Sequence, residues 1–254
     1  MSNSKLVDYT KISPNKTSPR NHKIDTITIH CVVGQCSVET LGNVFAPTSR
    51  QASSNYGIGY DGRIGMYVEE KDRSWCSSSA SNDNRAITIE VASDTKHPYK
   101  VRDAAYKALI DLCTDICKRN GIKELKWKAD KSLIGKVEQQ NMTVHRWFAN
   151  KACPGDYLYN LHGQIAAEVN ARLGVVSDTT PDTNATLEYA VGDVVTFKGT
   201  KHYASSNGTN GKTCKPGEAR VTSVAKNGKH QYHLIKTAGS PSTVYGWVDA
   251  ADIT

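Results

Sequence analysis

The sequence predicts an α/β domain, a mixed sheet flanked by helices, followed by a small all-β domain. Three observations carry this. Runs of strand period alternate with runs of helical period over roughly the first two thirds of the chain. A polar stretch rich in Thr and Asp, GVVSDTTPDTNAT, interrupts the chain at 174–186. Beyond it come only short β-rich segments punctuated by glycine.

Within the first domain, 24–33 (IDTITIHCVV) reads as a strand, with Ile27 and Ile29 on one face and Thr26, Thr28 and His30 on the other. Residues 56–60 and 63–68 read as a hairpin closed by the two-residue turn Asp61-Gly62. Residues 86–91 (AITIEV) alternate again and end near Glu90. From 102 to 119, Ala105, Leu109, Leu112 and Ile116 recur at helical spacing, and Gly121 caps the end. A short strand at 142–145 and a helix at 158–173, stopped by Gly174, complete the domain. In the second domain the strands fall at 193–197, 219–224, 230–235 and 244–248, a spacing that argues for a small barrel. The expected division is therefore 1–174, a linker at 175–186, and 187–254.

The 254 residues are 38% hydrophobic and 22% charged, ordinary for a globular protein. No run of about eighteen apolar residues occurs, so no membrane span is expected. Residues 1–20 are polar and lack the apolar core of a secretory signal, which predicts synthesis and folding in a cytoplasm. Seven cysteines, an odd number, argue against a disulfide framework there. The net charge of +7 fits either a polyanionic partner or mere solubility. Its basic residues are scattered, without the basic stripe or interleaved aromatics of a nucleic-acid module, so no nucleic acid is expected.

Three residues stand where a metal could be held. His30 and His145 end strands, and Cys153 follows His145 in HRWFANKACPGD. Ends of neighbouring strands meet in space, and two imidazoles with one thiolate suit a catalytic zinc that keeps a fourth position open. Pro154 biases Cys153 towards extended backbone. Singly, a strand-end histidine is usually a hydrogen-bonded structural residue, and a Cys-Pro pair is usually loop. The reading rests on the three together.

With ITIH ending in His30, NYGIGYDGRI at 55–64, AITIEV carrying Glu90, and HRWFANKACPGD from His145, the chain resembles the type-2 N-acetylmuramoyl-L-alanine amidases. That superfamily includes the peptidoglycan recognition proteins and amidase-type phage lysozymes, and the resemblance covers about residues 20–174. It implies one Zn2+ per chain held by His30, His145 and Cys153, with Glu90 as general base and Lys151 facing the substrate carbonyl. It implies hydrolysis of the amide between N-acetylmuramic acid and L-alanine of peptidoglycan. Glu90 ends an apolar strand, where a carboxylate is expensive without work or a partner. The plainer readings are a salt-bridged edge carboxylate for Glu90 and a solvated loop lysine for Lys151. Ser54 stands where some branches carry a helper tyrosine, and Asn55 where a histidine is common; both departures move the base role towards Glu90. Asn55, Tyr56, Arg146 and Trp147 are expected groove residues, with core packing an equal reading for Tyr56 and Trp147.

Cys113 and Cys117, four apart on one helix, read as core. Cys31 and Cys36 beside the first strand lack partners for a second zinc site, and Cys76 and Cys214 stay unexplained. VGDVVTFKGT, KPGEARVTSV, YHLIK and YGWVDAADI resemble the bacterial SH3-like domains appended to wall hydrolases. Tyr203, Tyr232, Tyr245 and Trp247 are then candidate wall contacts, Trp247 equally a core residue. Seven lysines and Arg220 against five acids leave this segment at +3, suited to anionic wall polymers. Together these features predict a phage endolysin waiting in the host bacterial cytoplasm and acting on Gram-positive peptidoglycan. A bacterial autolysin and a non-catalytic peptidoglycan-recognition protein are the alternatives, and the presence of Cys153 favours the enzyme.

Overall fold

The computed structural model describes residues 2–175, 188–225 and 228–254. The chain separates into two compact units, Met1–Val176 and Ser177–Thr254. Of the expected linker, 176–186 lies outside the described residues.

Eight strands and four helices build the first unit. They are β1 (Tyr9–Thr10), β2 (Lys16–Thr17), β3 (Thr26–Cys31), α1 (Val38–Phe45), β4 (Tyr56–Ile58), β5 (Ile64–Met66), β6 (Arg73–Ser74), α2 (Ala80–Arg85), β7 (Ala86–Val91), α3 (Asp103–Asn120), β8 (Met142–Thr143) and α4 (Gly155–Leu173). Six strands form one sheet in the order β1-β5-β4-β7-β3-β8, and β2 pairs with β6 apart from it. The sheet is mixed, because β4 and β5 are antiparallel whereas β3 runs parallel to both β7 and β8.

Alternation along β3 and β7 sorts the two faces. Ile27, Ile29, Ile87 and Ile89, all fully buried, join Leu109, Leu112 and Ile116 of α3 and Leu158, Ile165 and Val169 of α4 in the main core. Truncating one of these isoleucines to alanine costs about 2–5 kcal/mol. On the opposite face, α1 lies over the β4–β5 half. Gly57 lets it do so, since a Cβ there would sit 2.7 Å from Tyr67 Cε2 and 2.8 Å from Leu41 Cδ1. Ser37 caps α1 by accepting from Thr40 N, and Gly121, at φ 69°, ends α3.

The hairpin is shorter in its strands than expected and longer in its loop. Gly59 N donates to Arg63 O, and the turn centres on Tyr60-Asp61, with Gly62 at φ 88° completing it. Asp61 accepts from Arg63 N and fixes that register. The last helix starts at Gly155 rather than at 158. His145 opens a short 3-10 turn just past β8 rather than ending a strand.

In the second unit, β9 (Val194–Phe197), β12 (Gly217–Val224), β13 (Tyr232–Lys236) and β14 (Tyr245–Val248) form an antiparallel sheet ordered β14-β13-β12-β9; β10 (Lys201–His202) and β11 (Lys212–Thr213) pair separately. Its core holds Val195, Phe197, Val221, Tyr232, Leu234 and Val248. No helix among the described residues is long and apolar enough to cross a membrane.

Candidate metal centre

Parallel pairing of β3 with β7 sets His30 directly beside Glu90, and Thr28 beside Thr88. All four belong to the face opposite the isoleucines, so the sheet's polar row ends in an imidazole and a carboxylate. β8 pairs with β3 through Thr28 and Thr143, and the chain then turns at His145. The two imidazole centroids lie 5.1 Å apart at 63°. Cys153, just before α4, places its Sγ 3.4 Å from His30 Nδ1 and accepts from Cys31 N. One donor atom each from His30, His145 and Cys153 lies within 4.8 Å of the others.

The electrostatics suit a cation. Burial, then the neighbouring His145 and His162, push His30 down to about 3, so it is neutral, with one ring nitrogen able to donate a lone pair. Burial and the nearby Lys151 lower His145 as well. The adjoining Cys31 thiol and burial push Cys153 up, a penalty that a bound metal reverses, since coordination deprotonates a thiol. His30 Nε2 and Glu90 Oε2 are buried without a hydrogen-bond partner. Burial, and then Cys31, push Glu90 up to about 8. A carboxyl with no cation paired to it, raised into this range beside a metal-sized triad, is a candidate acid–base group. Lys151 is exposed at the rim.

Two parts of the site were not visible in the sequence. Ser78 places its Oγ 3.0 Å from His145 Nε2, from a backbone at φ 62°. Cys76, unexplained by sequence, lies with its Sγ 3.8 Å from Glu90 Oε1. Buried Asp83 holds the loop carrying both, accepting from Cys76 N at 2.9 Å and from Ser77 N and Oγ. The signal available was the S-N-D run that follows the serines, a helix start with its acid turned back on the loop.

The structure places most of the expected groove residues inside the fold. Asn55 is fully buried, its Nδ2 donating to Val68 O and its Oδ1 accepting from Thr88 N. Tyr56 is fully buried too, donating to Glu70 Oε1 at 2.7 Å. That carboxylate is itself held by Arg119 at 2.6 and 2.8 Å. Trp147 stacks on Trp127 at 5.1 Å and is 8% exposed. All three are buried, and their polar or ring contacts are to the protein itself. Arg146 is occupied as a clamp: its backbone N donates to Cys153 O, and its guanidinium to Ala152 O and Asp156.

In the second unit, Tyr232 is 1% exposed and belongs to the core, not to a groove. Tyr203 stacks on His230 at 3.5 Å. Tyr245 is 67% exposed, and both it and half-buried Trp247 meet the His233 ring edge-on. His233 was missed by the sequence reading.

Comparison with known proteins adds the identity. Among solved structures, the chain is similar to the endolysin N-acetylmuramoyl-L-alanine amidase LysCS from Clostridium intestinale, at 18% identity over 67% of this chain and 94% of that one, TM-score 0.43. It is similar to a mutant endolysin from Bacillus subtilis, at 16% identity over 64% and 99%, TM-score 0.44. A selenomethionine derivative of AmpD shares 17% identity over 65% and 99%, TM-score 0.47. No curated protein sequence matches the chain. The sequence profile of the N-acetylmuramoyl-L-alanine amidases matches residues 20–156, more than half of the chain, and takes in His30, Glu90, His145 and Cys153. The chain therefore belongs to the N-acetylmuramoyl-L-alanine amidase family, the hydrolases that cut the amide between N-acetylmuramic acid and L-alanine.

Proposed function

We propose that the chain is a zinc-dependent amidase of the endolysin type that holds one zinc through His30, His145 and Cys153. The supporting observation is the donor triad, two imidazoles and a thiol within 4.8 Å of one another. Nitrogen and sulfur donors suit zinc, and three protein ligands leave a position for water, as catalytic rather than structural zinc sites do. When bound, zinc supplies Lewis acidity to the lactyl carbonyl and to the attacking water. Glu90 takes the water's proton at Oε2, which has no protein partner, and hands a proton to the departing L-alanine amine. Lys151, at the rim, donates to the oxyanion that forms as the carbonyl becomes tetrahedral.

In the same reading, residues 1–174 form the catalytic domain and 187–254 an SH3-like barrel that keeps the enzyme on the wall of a Gram-positive host. Tyr203, Tyr245 and Trp247 contact peptidoglycan, and the +3 charge draws anionic wall polymers. The enzyme reaches the wall from the host bacterial cytoplasm and lyses the cell. Mass spectrometry of digested wall should find the lactyl–L-alanine amide cut, with about one zinc per chain by elemental analysis. A chelator should abolish the activity and added zinc restore it; a metal-free, fully active preparation would overturn the mechanism. Tyr245→Ala in the full chain should weaken sedimentation with intact walls and leave hydrolysis of soluble muropeptides unchanged. Equal sedimentation would remove the wall-contact role of that surface.

A further inference from the structure

Beside the first triad lies a second. His30, Cys76 and Glu90 also bring one donor atom each within 4.8 Å of one another. His30 is common to both groups, and it has two nitrogens to offer. Its Nδ1 is the one 3.4 Å from Cys153 Sγ, and its Nε2 is wholly buried with no partner. Glu90 Oε2 is unpartnered as well, and Cys76 Sγ reaches Glu90 at 3.8 Å. The group is built rather than adventitious. Strand register fixes His30 beside Glu90, and Asp83 pins the Cys76 backbone at 2.9 Å.

The geometry points to a second divalent-cation position at His30 Nε2, Cys76 Sγ and the Glu90 carboxylate, filled when metal exceeds one equivalent. An imidazole, a thiolate and a carboxylate form a borderline-soft set that takes zinc or cobalt and offers little to magnesium or calcium. Occupying both positions requires His30 to coordinate through both nitrogens. It must then give up its remaining ring proton to solvent, as the Cys76 thiol also does, so the second ion binds more weakly than the first. Because the second ion engages Glu90, it removes the group proposed above to move protons, and excess metal inhibits. The inhibition rests on that reading of Glu90; the stoichiometry does not.

The test is a cobalt titration of the metal-free full chain, followed by thiolate-to-cobalt charge transfer and by equilibrium dialysis, with zinc inhibition measured in parallel. The wild type should bind about two equivalents, the second adding a second thiolate band. Cys76→Ser and Cys76→Ala should each lose the second equivalent and its band while keeping the first. Their rates should hold as zinc rises past the level at which the wild type slows. Cys153→Ser should lose the tighter equivalent instead. A wild type that stops at one equivalent, lost with Cys153→Ser and kept in Cys76→Ser, would overturn the second position and leave the first standing. A single equivalent lost with Cys76→Ser and kept in Cys153→Ser would overturn both assignments.

Discussion

Two rungs of the same strand pair treat their polar side chains in opposite ways. At the first, Thr28 and Thr88 are fully engaged: Thr28 shares a hydrogen bond with Thr143 at 2.7 Å and accepts from Asn82, and Thr88 meets Ser74 at 2.7 Å. At the second, only two residues further along, His30 and Glu90 each keep a buried atom without a partner. Folded proteins leave few buried polar groups unpaired. The first rung ties neighbouring strands together, whereas the second leaves polar atoms unengaged, as the proposed metal site requires. Each group of residues should therefore fail differently when altered.

The largest effect is expected at the unsatisfied rung. Glu90→Gln should keep the metal and the fold and lose about two to four orders of magnitude in rate, the usual size of a general acid–base contribution. A near-wild-type rate would make Glu90 a structural carboxylate. Lys151→Ala, judged by kcat on a soluble muropeptide, should lose about 100- to 1000-fold, as removal of one oxyanion donor does.

A third expectation concerns pH. In the metal-free protein Glu90 is raised from its ordinary 4.5 to about 8, so the folded state binds its proton more tightly than the unfolded state. Its contribution to stability is fully present below 4.5 and is lost as pH rises towards 8. Denaturation of the metal-free chain across that window should show stability falling with pH, and Glu90→Gln should flatten the slope. Identical slopes in the two proteins would mean the carboxyl is already ionised in the fold. The smallest effect belongs to the satisfied rung. Asn82→Ala removes one of the two partners of each of the Thr28 and Thr143 hydroxyls and should cost about 1–3 kcal/mol by urea denaturation. The metal should be retained.

How much of this was legible in the sequence follows from how each residue gets its place. Strand period put Ile27 and Ile29 opposite His30, and strand ends suggested a meeting of His30 and His145, but the full triad was legible through the family resemblance, and His145 proved to open a 3-10 turn. Burial was not legible. Asn55 stands out for its place in the family pattern and Tyr56 as a polar aromatic beside it, yet their partners, Val68 O and Glu70, come from the far side of a turn. Ser78 and Cys76 were hidden for a related reason. They are placed by buried Asp83 and by a left-handed backbone at Ser78, neither of which leaves a periodic pattern. Tyr232 shares its strand face with Leu234, so alternation alone assigns it to the small core; its aromatic ring and hydroxyl are what suggest a contact.

For the proposed ion, the Arg146 clamp has a consequence for entry and exit. His145 and Cys153 lie on one short span, closed on itself by Arg146 N bonding to Cys153 O. The shorter a closed loop, the less chain entropy its closure removes, so fixing the second of these donors costs little once the first is fixed. The triad thus consists of two moving parts rather than three, the sheet bearing His30 and one tied loop bearing the rest. Opening of that loop withdraws two donors at once. Exchange of the ion should therefore be gated by a single local opening, and amide hydrogen exchange at 145–153 should slow sharply on metal binding while β3 and β7 change little.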